Sequence, residues 1–127
     1  MGLLVYVNAM NVAGKRLSGV IKAVARGREI EVHRDMESLI RRLRQPRSDL
    51  SIAVLFAFTR EDLEDILSIR DLLRDLRIII LLPDSEEDTV RKGHTLRPRF
   101  LTYANGDLED VGVVLRRMLE SEPIWTH

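Results

Sequence analysis

The chain has 127 residues, 45% of them hydrophobic, which suits one domain with a packed core and argues against a disordered or multi-domain protein. Twenty Lys and Arg balance twenty Asp and Glu, so no net field draws the molecule toward nucleic acid, an anionic membrane or an acidic substrate. No cysteine occurs, which excludes disulfides, thiol catalysis and thiolate metal sites and makes a reducing cytoplasm the expected location.

The apolar run Leu3–Val7 reads as a strand buried on both faces; it is too short to span a bilayer and lacks the flanks of a secretory signal. Leu17, Val20, Ile21 and Val24 then recur at helical spacing with basic residues between them, and Gly27 is a natural stop. Glu29 to His33 alternates polar and apolar, as a strand near a sheet edge does. Asp35 is placed to cap a second helix carried by Met36, Leu39, Ile40 and Leu43, which Pro46 helps to end.

Leu50 to Phe58 is the most hydrophobic stretch and the candidate central strand. Thr59 can cap a third helix whose broad apolar face runs from Leu63 through Ile66, Ile69 and Leu73 to Leu76. Ile78–Leu82 makes a fourth strand. Pro83 breaks it, and Glu86, Glu87 and Asp88 open a fourth helix whose anchors are Val90 and Leu96, with Gly93 inside, so it is expected to be short, mobile or superficial. Phe100–Tyr103 makes a fifth strand. Asn105-Gly106-Asp107 turns into a last helix built on Leu108, Val111, Leu115, Met118 and Leu119.

Five strands alternating with five helices imply an α/β domain spanning residues 1–127, with a parallel sheet and right-handed crossovers. The simplest arrangement is flavodoxin-like, strand order 2-1-3-4-5 with helices on both faces. Its crevice lies beyond the carboxyl ends of the first and third strands.

The segment NAMNVAGKRL, residues 8–17, occupies the place of a phosphate loop, but Ala9 stands where the first glycine is needed and Arg16 where a hydroxyl would bind magnesium. Lys15 and Arg16 are equally well explained as the polar flank of the first helix. The run RRLRQPR, residues 41–47, has no interleaved aromatics, which argues against nucleic acid as its partner. His33, His94 and His127 lie in different elements and lack the spacing of a metal site, and REDLED and DSEED read as helix starts.

The segments SIRDLL, RIIILLPDSEED and RPRFLTYANGDLEDVGVVLRRML, placed in this order, resemble the third helix, fourth strand and fifth strand-helix segment of the receiver domain of two-component response regulators. The resemblance covers almost the whole chain. It implies a phosphorylation pocket, and the matching positions are altered: Asn8 and Ala9 replace the acidic pair after the first strand, Leu82 the hydroxyl residue after the fourth, and Tyr103 the lysine after the fifth. No Asp occurs between Leu50 and Glu61 to accept a phosphoryl group, and the three lysines, Lys15, Lys22 and Lys92, lie elsewhere.

A degenerate receiver follows, one with no catalytic activity, no cofactor and no metal, acting in signalling through protein contacts. Phe100 matches the family's aromatic switch position. The resemblance places the partner face, or a homodimer contact, on the fourth helix, fifth strand and fifth helix: Arg91, His94, Arg97, Arg99, Tyr103, Arg116 and Arg117. The alternative is a small-ligand or nucleotide-binding protein using Asn8, Asn11, Lys15 and Asp84 at the strand ends.

Overall fold

The structure is a computed structural model that describes residues 2–8, 11–46 and 49–120. Five strands, β1 (Gly2–Val7), β2 (Ile30–His33), β3 (Leu50–Phe56), β4 (Arg77–Leu82) and β5 (Phe100–Tyr103), form one parallel sheet in the order β2-β1-β3-β4-β5. The helices are α1 (Val12–Val24), α2 (Met36–Leu43), α3 (Arg60–Ser68), α4 (Glu87–His94) and α5 (Glu109–Glu120). The expected fold class and strand order are therefore those observed.

Alternation along the strands divides the core into two layers. Leu3, Val5 and Val7 of β1, with Ile52, Val54 and Phe56 of β3, face Leu17 and Ile21 of α1 and Val111 and Leu115 of α5. Leu4, Tyr6, Leu55 and Ile80 point the other way, toward Leu39 of α2, Leu63 and Ile66 of α3, and the α4 flank. The three inner strands are buried on both sides, which is why they read as continuous apolar runs.

The edge strand β2 is held by charge as well as by apolar packing. Arg42, its side chain only 14% exposed, donates from Nε to both Glu31 oxygens at 2.8 and 3.0 Å and from Nη2 to Asp49 at 3.0 Å. Sequence periodicity puts Arg42 on a solvent-facing flank, whereas the fold bends that flank over the sheet edge. The Arg42 hydrogen bond holds the Glu31 carboxyl below its ordinary range. His33 likewise has a carboxylate neighbour that sequence spacing did not disclose: its Nε2 lies 3.4 Å from Glu31, and its Nδ1 lies 2.5 Å from the Ser38 hydroxyl.

One expectation is corrected, and another holds only in part, since α4 is short and largely exposed as expected. The third helix is not continuous to Leu76: α3 ends at Ser68, and a 3-10 turn over Arg70–Leu73 carries Leu73 back onto the sheet. Apolar spacing cannot distinguish these, because both forms put residues three apart on one side. The fourth helix does present a buried face, through Thr89 and Gly93. A Cβ on Gly93 would stand 3.0 Å from Leu82 and 3.1 Å from Leu101, so the glycine that looks like a weakness is where α4 seats closely on β4 and β5.

On the opposite face α1 and α5 approach through Gly112, where an added Cβ would meet Val20 Cγ1 at 2.9 Å. Gly112→Val is expected to cost about 1–3 kcal/mol by overpacking. Gly19→Ala, on the exposed face of α1 with nothing within 4 Å, is expected to stabilise by up to about 1 kcal/mol through helix propensity. Urea denaturation of the two variants checks both signs.

Candidate functional site

The carboxyl edge of the sheet gathers the ends of β1, β3 and β4 and the starts of α1, α3 and α4. Asn8 follows β1 at the surface. Ala57 follows β3 fully buried, its N–H donating to the Leu81 carbonyl at 2.9 Å, so the sheet ladder runs one residue past the end of the strand. Leu82 is also fully buried. Tyr103 is half-buried beside it in the β4–β5 register and packs on the α4 side of the core. Ala9 lies outside the described residues.

The carboxylate at the crevice comes from one turn inside α3. Asp62, 8% exposed, accepts from Asn8 Nδ2 at 2.6 Å on one oxygen and from the Phe58 and Thr59 N–H groups at 3.0 and 3.2 Å on the other. Thr59 Oγ1 in turn accepts from the Asp62 N–H at 3.0 Å, closing a reciprocal capping box. In sequence, Asp62 belongs to the acidic helix start REDLED. The legible signal was Thr59 followed three residues later by an acid, but its bond to Asn8, 54 positions away, exists only once β1 and β3 lie side by side.

Arg60 reaches across the rim. It donates from Nε to Asp84 at 3.0 Å and also pairs with Glu86, linking the β3–α3 turn to the β4–α4 turn. Asp84 also accepts from the Glu86 N–H at 3.0 Å. The Thr89 hydroxyl, that N–H and Arg60 together hold its carboxyl below the usual range. Asp84 therefore organises the start of α4, whose N-cap Glu86 makes no side-chain capping bond.

The four residues of the ligand-binding alternative lie on separate elements at this edge. Asn11 caps α1, accepting from the Gly14 N–H at 2.9 Å; Lys15 is exposed one turn inside that helix; Asn8 and Asp84 are engaged as described. A groove of about 460 Å³ does lie nearby, between α1 and the β1–β2 edge, with Val7, Leu17, Ile21 and Val32 among its lining, and none of the four enters it. Since α1 begins at Val12, the Gly14-Lys15 pair is helical and forms no phosphate loop. Among the described residues, no three His, Asp or Glu side chains are placed to hold a metal ion.

The seven residues of the expected partner face border β5, the second edge strand, with α4 on one side of the sheet and α5 on the other. His94, Arg97, Arg99, Arg116 and Arg117 are exposed, and Arg91 pairs with Asp88 at 3.0 Å. Arg97 is the one described non-glycine residue with a left-handed backbone, φ 53°.

No protein-family model and no curated protein matches the chain. Solved structures do. A response regulator receiver protein from Pseudoalteromonas atlantica superposes with a TM-score of 0.73 at 11% identity, covering 94% of this chain and 98% of that one. A response regulator from Thermotoga maritima gives 0.68 at 15% identity over 94% and 98%. The phosphorylated cyanobacterial phytochrome response regulator RcpA gives 0.63 at 20% identity over 94% and 91%. At such identities the likeness is one of fold: this chain has the receiver architecture.

Tyr6 offers a probe of the crevice. Burial, then the charges of Asp62, Asp65 and Asp35, push its phenol from 10.0 up to about 12. The phenol is kept neutral in the folded chain, so this contribution to stability is complete below pH 10 and is lost as pH rises through about 12. Ultraviolet titration should show one late phenolate, and Asp62→Asn should move its midpoint down. Asp62→Ala should also cost about 1–3 kcal/mol in urea denaturation, since it removes one arm of the capping box and three hydrogen bonds to a charged acceptor.

Proposed function

We propose that the chain is a receiver-like signalling module that carries no phosphoryl group, catalyses no reaction and works through protein contacts. The observation that carries this reading is the state of Asp62. Aspartyl phosphorylation needs a carboxylate oxygen free for in-line attack and a divalent ion held by further hard oxygens. The Asp62 carboxylate is nearly buried and accepts three hydrogen bonds, two of them from the backbone of its own turn, which orients it inward as a cap.

The neighbouring groups supply no replacement. Asn8 is an amide that donates to Asp62, Ala57 is a buried methyl, and Leu82 and Tyr103 offer neither a small hydroxyl nor an ammonium. Where a cation would neutralise a phosphoryl group, the Arg60 guanidinium already pairs with Asp84 and Glu86. Both pairs are substantially exposed and weakened by solvent, so their effect is to orient the two turns rather than to hold the fold together.

Protein contact is the function left to such a scaffold. The α4–β5–α5 flank suits it, because arginine and tyrosine are favoured at interfaces and six of its basic residues are exposed. The homodimer is a special case of the same contact. Among the described residues, no helix is long and apolar enough to cross a membrane.

The test is incubation of the full chain with magnesium and acetyl phosphate, followed by intact-mass measurement at neutral pH. The expected outcome is an unmodified mass. A stoichiometric, acid-labile phosphoryl adduct overturns the reading, and mapping it to Asp62 would show that the cap opens.

A further inference from the structure

The amino edge of the sheet carries a second feature, on the far side of the molecule from Asp62. Between the 3-10 turn after α3 and the chain leaving α4 lies a groove of about 340 Å³. Leu73, Leu76 and Leu96, all buried, contribute its apolar lining, and Arg70, Arg74 and Arg97 contribute three guanidinium groups. Asp71 is the one carboxylate among the lining residues. It meets Arg74 at 3.5 Å with both side chains mostly in solvent, too weak a pair to neutralise the groove. Arg70 and Arg97 have no ion-pair partner among the described residues, whereas Arg42, Arg60, Arg91 and Lys92 each have one.

The backbone at Arg97 adds an independent observation. After α4 the chain turns through hydrogen bonds from the Leu96 N–H to Gly93 and from the Arg97 N–H to His94, and Arg97 takes φ 53°. A left-handed residue just past a helix end is a position that glycine fills without strain. An arginine there carries backbone strain that glycine would not, and it stands before Pro98, which further restricts it. What the arginine adds over glycine is a guanidinium at the groove.

We propose that this groove receives an acidic, extended segment of a protein partner, with an aliphatic side chain on the leucine floor and carboxylates held by Arg70, Arg74 and Arg97. Three things fit this occupant. Guanidinium pairs with carboxylate in a planar, two-bonded geometry. The volume admits one or two side chains and little more. No aromatic ring lines the groove to stack a base, which disfavours single-stranded nucleic acid. The proposal rests on the reading of the chain as an interaction module. It shares only Arg97 with the α4–β5–α5 flank, so that flank and the lost phosphorylation chemistry can each stand if it fails.

The experiment uses the full chain labelled with nitrogen-15, titrated with the capped peptide Glu-Asp-Leu-Glu-Asp and with its neutral counterpart Gln-Asn-Leu-Gln-Asn. The acidic peptide is expected to shift the amides of residues 70–76 and 95–97, with affinity falling severalfold as salt rises to physiological strength. Arg70→Glu with Arg74→Glu should abolish the shifts. Arg97→Gly should weaken binding severalfold while raising the melting temperature, a combination that a merely structural arginine would not give. Equal binding of the neutral peptide, shifts confined to another surface, or no shift at all overturns the proposal. So does salt-sensitive self-association removed by Arg70→Glu, which would make a second copy the occupant.

Discussion

Parallel strand pairing governs what this molecule can display. Each helix must carry the chain back from the carboxyl edge of the sheet to the amino edge, so every helix starts on one rim and ends on the other. The helix dipole favours carboxylates at the starts and cations at the ends. Glu37, Glu61, Asp62, Glu87, Asp88, Glu109 and Asp110 accordingly lie in first turns, and Lys22, Arg41, Arg42, Arg91, Lys92, His94 and Arg117 in last turns. In a chain of zero formal net charge, the helix starts on one rim are thereby mainly acidic and the helix ends on the other mainly basic, α1 lacking an acid in its first turn and α3 a base in its last.

On the acidic rim, hydrogen bonding decides whether carboxylates remain available for chemistry. Asp62 is drawn into the α3 cap and onto Asn8; Asp84 is drawn into the start of α4 and onto Arg60. The two ties differ in weight. The Asp62 carboxylate is itself buried and accepts three hydrogen bonds, whereas the Arg60 pairs are open to solvent and screened by salt. The first fixes local structure, and the second sets how two loops lie relative to each other.

The basic rim follows different packing. Interruption of the third helix at Ser68 lets Leu73 and Leu76 turn onto β4 while Arg70 and Arg74 stay at the surface. A helix continuing to Leu76 would carry these arginines elsewhere on its surface. The same interruption accounts for the groove beneath α4 and for its charge, since Asp71 is the one carboxylate among the lining residues.

Local pattern was enough to read the five strands, the order of elements and the caps at Asp35 and Thr59. Each of these depends on residues adjacent in the chain or on hydrophobic period, and burial on one or two faces writes that period directly into the sequence. Tertiary structure decided the rest. The Asn8–Asp62 bond, the Arg60 bridge, the Arg42 clamp on Glu31 and the seating of Gly93 on Leu82 join residues that become neighbours only when crossovers stack β1 against β3 and β4. A side chain's partner across a sheet leaves no periodic trace along the chain, so whether a carboxylate is free or spent as a cap is settled by packing.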